Sequence, residues 1–240
     1  MKALLIVLMT LGVGFTSAGT IPVTRTDEVA RGRQGMAAGN LLQALPLLRE
    51  GDIIFICFKH ALYRRIAETS GSWESHVGIL FRDSAGGWLV AASTIPVSKT
   101  TSLQRFVGHS ENGRFLVRRL RGGLPQDAVK RLRAASDHRM GAMYDTGFRY
   151  DSPRQYCSKF VFDCYLEATG QRVGKVETFR EMLAENPGAP VKFWRRWFFG
   201  RIPWERRCVT TTSQLHAENM VTVFDSEIPA SAAEPKPRRR

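Results

Sequence analysis

Arg154-Gln155-Tyr156-Cys157-Ser158-Lys159-Phe160-Val161-Phe162-Asp163 sets a cysteine near the start of an apolar helix. Ser152 and Gln155 fit a capping box, and Pro153 fits the first helical position. The helix is therefore expected to begin a few residues before Cys157. Phe160, Val161, Cys164 and Leu166 supply apolar surface along it. A thiol attacks as the thiolate. Unpaired N–H groups at a helix start favour negative charge, whether on a thiolate or on the oxyanion of an attacked carbonyl. A cysteine in an apolar helix also serves as a small core residue. These ten residues alone leave both readings open.

A nucleophilic thiol needs a base. Ser75-His76-Val77-Gly78-Ile79 opens a strand running from His76 to Phe81. An imidazole entering a buried strand is costly unless it is hydrogen-bonded. Placed beside a thiol, a neutral imidazole takes its proton and later protonates the leaving group. A satisfied core histidine is the competing reading. His60, His109, His138 and His216 fall in predicted loops or at helix ends, where solvated histidines are ordinary.

The neighbouring elements give the fold class. Ile53 to Phe58 reads as a buried strand, and Ala61 to Thr69 as a short helix. Residues 76–93 read as a hairpin turning at Asp83 to Gly87, and Arg114 to Leu120 as a half-exposed strand. Pro125 opens a helix to about Arg139, and Thr178 to Glu185 forms a last short one. The class is α+β: an antiparallel sheet or partly closed barrel packed against the helix carrying Cys157.

Composition bounds the function. The 240 residues carry a net charge of +13, which favours anionic partners such as acidic lipid or cell-wall polymer. The arginine-rich coding of a GC-rich genome accounts for the excess equally well. No zinc-finger spacing or nucleic-acid motif accompanies it, so no specific nucleic acid is expected. None of the four cysteines forms a CxxC pair. Cys157 and Cys164 would lie ~10.5 Å apart on a helix, too far for a disulfide. Cys57 and Cys208 pair only if the fold brings them together.

Met1-Lys2, the apolar run Ala3 to Phe15 and Thr16-Ser17-Ala18 read as a signal peptide over residues 1–18. A true start at Met36 is the alternative, giving a cytoplasmic rather than an envelope or periplasmic protein. Residues 19–47 read as a linker with a short helix from Met36 to Leu48, 48–225 as the folded domain, and 226–240 as a disordered basic tail.

Three segments, in this order, carry a family resemblance: Leu48-Arg49-Glu50-Gly51-Asp52-Ile53-Ile54-Phe55, Ser75-His76-Val77-Gly78-Ile79 and Tyr156-Cys157-Ser158-Lys159-Phe160-Val161. They resemble the YebB/YiiX-like group of the circularly permuted papain-fold (NlpC-type) cysteine amidases. In the permuted order the histidine strand precedes the cysteine helix. Residues 154–163 and Ile202-Pro203-Trp204-Glu205-Arg206 resemble the YebB subgroup. The resemblance spans about residues 48–210. It implies a permuted papain-like fold, with Cys157 as nucleophile and His76 as general base. No cofactor and no metal are expected.

The family's third polar residue, often Glu, lies on the strand after the histidine. Its position here matches Ala92. Ser93, Thr94 or a backbone carbonyl is then the candidate to orient the imidazole. Tyr156 is a candidate oxyanion donor, with local core packing as its alternative. Tyr144-Asp145 and Phe148 are expected to shape the cleft wall. In Phe193-Trp194-Arg195-Arg196-Trp197-Phe198-Phe199 the mixture suits a membrane interface, with covering the core as the other reading. The implied activity is hydrolysis of an amide, or acyl transfer, through an acyl-enzyme. The substrate class is a cell-wall peptide or a lipid amide. The alternative is an inactive envelope-binding module holding anionic polymer or lipid.

Overall fold

The computed structural model describes residues 37–227. The expected signal peptide, most of the linker and the basic tail beyond 227 lie outside the described residues.

The centre is a six-stranded sheet of order β4-β3-β2-β1-β5-β8. Its strands are β1 (Ile53–Phe58), β2 (His76–Arg82), β3 (Trp88–Ala92), β4 (Lys99–Ser102), β5 (Ser110–Leu120) and β8 (Met220–Asp225), and all pairings are antiparallel. β1 lies in the middle, with Ile53 opposite Ile79 on one side and Arg118 on the other. A central strand covered on both faces needs apolar side chains at every position, which Ile53-Ile54-Phe55-Ile56-Cys57 supplies.

Alternation divides the core. Ile53, Phe55, Val77, Ile79 and Phe81 pack with α5 (Cys157–Thr169) and with α4 (Gln126–His138). Ile54, Ile56, Leu80, Val90 and Ala92 pack with α3 (Leu103–Gly108) and with Ala44, at the end of α1 (residues 37–44). A third cluster joins α6 (Phe179–Glu185), α7 (Val191–Trp197) and Cys208 of β7 (Arg207–Val209), which pairs with β6 (Val176–Thr178). α2 (Ala61–Thr69) and α8 (Thr211–Leu215) complete the described elements.

Two contacts lock the central strands. A Cβ at Gly78 would lie 2.5 Å from Val90 Cγ1 and 3.0 Å from the Ala91 carbonyl, so β2 and β3 approach as closely as glycine allows. Arg119 clamps the buried Asp52 with two hydrogen bonds of 2.7 Å.

Several expectations change. The strand expected from Arg114 begins at Ser110. Cys57 and Cys208 are both free and buried, on β1 and β7, so the fold does not pair them. The helix expected from Pro153 begins at Cys157.

Candidate active site

Residues 152–155 spend their hydrogen bonds outside the helix. The Ser152 hydroxyl accepts from the Arg154 N–H (3.1 Å), Gln155 forms a backbone bridge with Tyr144, and its amide donates to Asp163 (3.2 Å). Tyr156 becomes the N-cap, and its side chain makes no capping bond. Cys157 is thus the first helical residue. The N–H groups of Ser158, Val77 and Cys157 itself approach its sulfur, as does the Tyr144 hydroxyl.

Each of these donors favours the thiolate, as a helix start should. Burial outweighs them, and the Cys157 thiol is pushed up to about 11. Burial thus works against the helix start, because the sulfur sits in a core residue only 6% exposed.

The sulfur meets β2 at the backbone of Val77, on the α5 face of the sheet, whereas the His76 side chain lies on the opposite face, with Phe106 and Ala92. The imidazole stacks on Phe58 (centroids 4.5 Å apart) and Phe106 (5.4 Å). No imidazole–thiol hydrogen bond occurs among the described residues. Burial, and then the charge of His109, pull His76 down to about 3. Thiol and imidazole are both neutral at rest.

Ala92 shares the face of His76. Register sets Ile79 against Ala91, and a Cβ at Gly78 would lie 3.2 Å from the Ala92 Cβ. A methyl there orients nothing, and the ring is held by the Phe58–Phe106 sandwich instead. Ser93 and Thr94 make no hydrogen bond to it among the described residues. Ser93 points to the other face by alternation, and its buried hydroxyl has no partner among the described residues.

Tyr156 does not take the place expected for it beside the sulfur. Its hydroxyl accepts from the Val209 N–H at 3.0 Å. The Ser158 hydroxyl donates to the Val209 carbonyl at 2.7 Å, and Gln214 donates to the Ser158 carbonyl at 2.8 Å. β7 and α8 therefore clamp the turn that carries the cysteine. The hydroxyl at the sulfur belongs to Tyr144, which the sequence placed only on the cleft wall. Its place beside Asp145, just before the cysteine helix, was the available signal.

A narrow cavity of about 50 Å³ opens at Cys157, lined by Tyr63, Phe148, Tyr156, Phe179, Met182 and Trp194. The Trp194 indole N–H is buried without a partner among the described residues. Beyond Met182 and Thr210 lies an open cavity of about 640 Å³ with Arg172, Lys175 and Glu185 on its wall.

An antiparallel sheet backed by a helix that starts at a buried thiol, with the histidine strand earlier in the chain, defines a permuted papain-like protein. The chain belongs to the permuted papain-like amidase family YaeF/YiiX (C92), whose model matches residues 47–224. It is 30% identical over 174 residues to the uncharacterized protein YiiX of Escherichia coli strain K12, covering 72% of this chain and 84% of that protein. A crystal structure of yiiX from Escherichia coli O157:H7 superposes with a TM-score of 0.68 at 29% identity, over 74% of this chain and 97% of that one. That relative is described as a metalloprotein. Among the described residues of this chain, no group of three or more His, Cys, Asp or Glu is placed to hold a metal ion.

Proposed function

We propose that this protein hydrolyses an amide through a Cys157 acyl-enzyme, with His76 as general base. The observation that carries the reading is the convergence of three backbone N–H groups, one of them from Val77 of the histidine strand, and the Tyr144 hydroxyl on Cys157 Sγ. As sulfur attacks the carbonyl carbon, its proton passes to the imidazole, which must first swing round the end of β2 from the face it occupies at rest. The carbonyl oxygen becomes an oxyanion held by the same N–H groups and by Tyr144. The carbon–nitrogen bond then breaks, and the imidazolium returns the proton to the departing amine. Water releases the acyl group from the thioester; a second amine or alcohol in its place would make the protein an acyl transferase.

The aromatic cavity favours an apolar group on the scissile amide. This supports a lipid amide ahead of a cell-wall peptide. Export to the cell envelope is part of the proposal, and a cytosolic signal from a tagged chain would oppose it. The test is release of amine from N-acyl amide substrates by the wild type, Cys157→Ala and His76→Ala. Turnover in the wild type alone supports the reading.

The alternative, a binding module without turnover, draws on Ala92, which supplies no carboxylate to the histidine. It requires that Cys157→Ala bind the same amides as tightly as a wild type that never turns them over.

A further inference from the structure

The end of α7 is built in a way that the proposed chemistry does not use. The Phe199 N–H donates to the Arg196 carbonyl (3.3 Å) and the Gly200 N–H to the Arg195 carbonyl (2.7 Å). This is a Schellman ending, in which the residue after the cap turns left-handed and is usually glycine. Here it is Phe199, with φ at 52°. A side chain at positive φ is strained. Its ring gains nothing from packing in return, because Phe199 is 99% exposed. Among the described residues it is the one exposed large hydrophobic side chain held almost wholly in water. Backbone and side chain both oppose phenylalanine at this position within the isolated protein.

The surroundings supply what the ring would meet. Lys192, Arg195, Arg196 and Arg201 are exposed, and none forms an ion pair with a carboxylate among the described residues. Trp197 and Phe198 lie half-buried behind the tip, with Arg206 over the Phe198 ring at 4.9 Å. An aromatic wedge ringed by cations matches the boundary of an anionic bilayer, where rings sit at headgroup depth and basic side chains meet lipid phosphates. A protein partner would need far more surface than one ring, about 800 Å² per side in a stable complex.

We infer that Phe199 and the basic residues of α7 dock the protein on an anionic lipid bilayer. The contact is peripheral, since no described helix is long and apolar enough to cross a membrane. α7 also forms a wall of the cysteine cavity through Trp194, which packs on Trp197 and Phe198. The docking element and the cavity are thus one piece of structure. The inference does not depend on Cys157 being catalytic.

The experiment is co-sedimentation of the full chain with phosphatidylcholine vesicles, with and without phosphatidylglycerol. The wild type is compared with Phe199→Gly, Phe199→Asn and the double variant Arg195→Glu/Arg196→Glu. All carry the same termini, so differences report on α7. Glycine and asparagine both tolerate the left-handed backbone, and a thermal midpoint at or above that of the wild type verifies their folding. The expected result is binding to phosphatidylglycerol vesicles that weakens roughly tenfold or more in both Phe199 variants and in the arginine variant. Equal binding by wild type and Phe199→Gly would overturn the inference. So would loss in the arginine variant alone, which means adsorption without the ring, or no preference for phosphatidylglycerol. The readout is binding, so it stands apart from any failure of turnover.

Discussion

Replacing His76 with alanine separates two ways of using a thiol. In one, imidazole and thiol rest as an ion pair; in the other, the proton moves only during attack. The structure favours the second, with Cys157 pushed up to about 11 and His76 down to about 3. At pH 7 roughly one Cys157 in 10⁴ is then ionised, against about one in 10² for a thiol at the ordinary 9.0. Iodoacetamide consumes thiolate, so Cys157 should alkylate about a hundredfold more slowly than an exposed thiol at neutral pH. Its rate should climb about tenfold per pH unit towards pH 11. His76→Ala should leave this profile within a few-fold while lowering kcat/KM on an amide by about 10² to 10⁴. Cys164, pushed up to about 12, serves as the internal reference and reacts more slowly still. Mass-resolved alkylation rates at each cysteine, from pH 6 to 11, give the readout. A wild-type midpoint below 7 that rises in His76→Ala would reveal a resting ion pair and refute the argument from burial.

Five further outcomes follow. Tyr144→Phe should lower kcat by about 10² with little change in KM, the signature of a lost oxyanion donor, whereas Tyr156→Phe should strand the Val209 N–H and cost about 1–3 kcal/mol in urea unfolding. Asp52→Ala should cost about 3–5 kcal/mol, because it leaves the Arg119 guanidinium without its buried partner. Gly78→Ala should destabilise by about 1–3 kcal/mol, through the contact with Val90 and Ala91. His76 stays neutral in the fold down to pH of about 3 but takes a proton below 6.5 when unfolded. Stability should therefore fall as pH drops from 6.5 towards 3, by up to about 1.4 kcal/mol per unit; a urea series on His76→Gln, with that slope flattened, checks it.

The elements that the sequence disclosed are those whose signal is local. Ile53 to Phe58 is apolar at consecutive positions because both faces of β1 are covered. The β2–β3 hairpin shows through its Asp83–Gly87 turn, and α4 through Pro125, which stands at its N-cap. What stayed hidden depends on distant partners. β8 alternates only weakly, and its pairing with β5 spans about a hundred residues, as the Arg118–Met220 contact shows. The start of α5 was misplaced because Ser152 and Gln155 carry capping chemistry but bond within a turn and to Asp163. Cys157 and His76 were singled out by residue type and order. The Tyr144 hydroxyl, the Val209–Gln214 clamp and the aromatic sandwich around His76 exist only once separate segments meet.

The clamp on the cysteine turn also fixes a moment in the life of the chain. Gln214 lies 56 residues beyond the Ser158 carbonyl it holds, and Val209 lies 51 beyond the Ser158 hydroxyl. A chain made from its N-terminus at roughly 5–20 residues per second exposes the cysteine several seconds before those partners emerge. In that interval the nascent polypeptide carries the sulfur and the histidine strand without the brace that sets the first helical turn. Until Val209 and Gln214 emerge, the first turn of α5 lacks the contacts that set it.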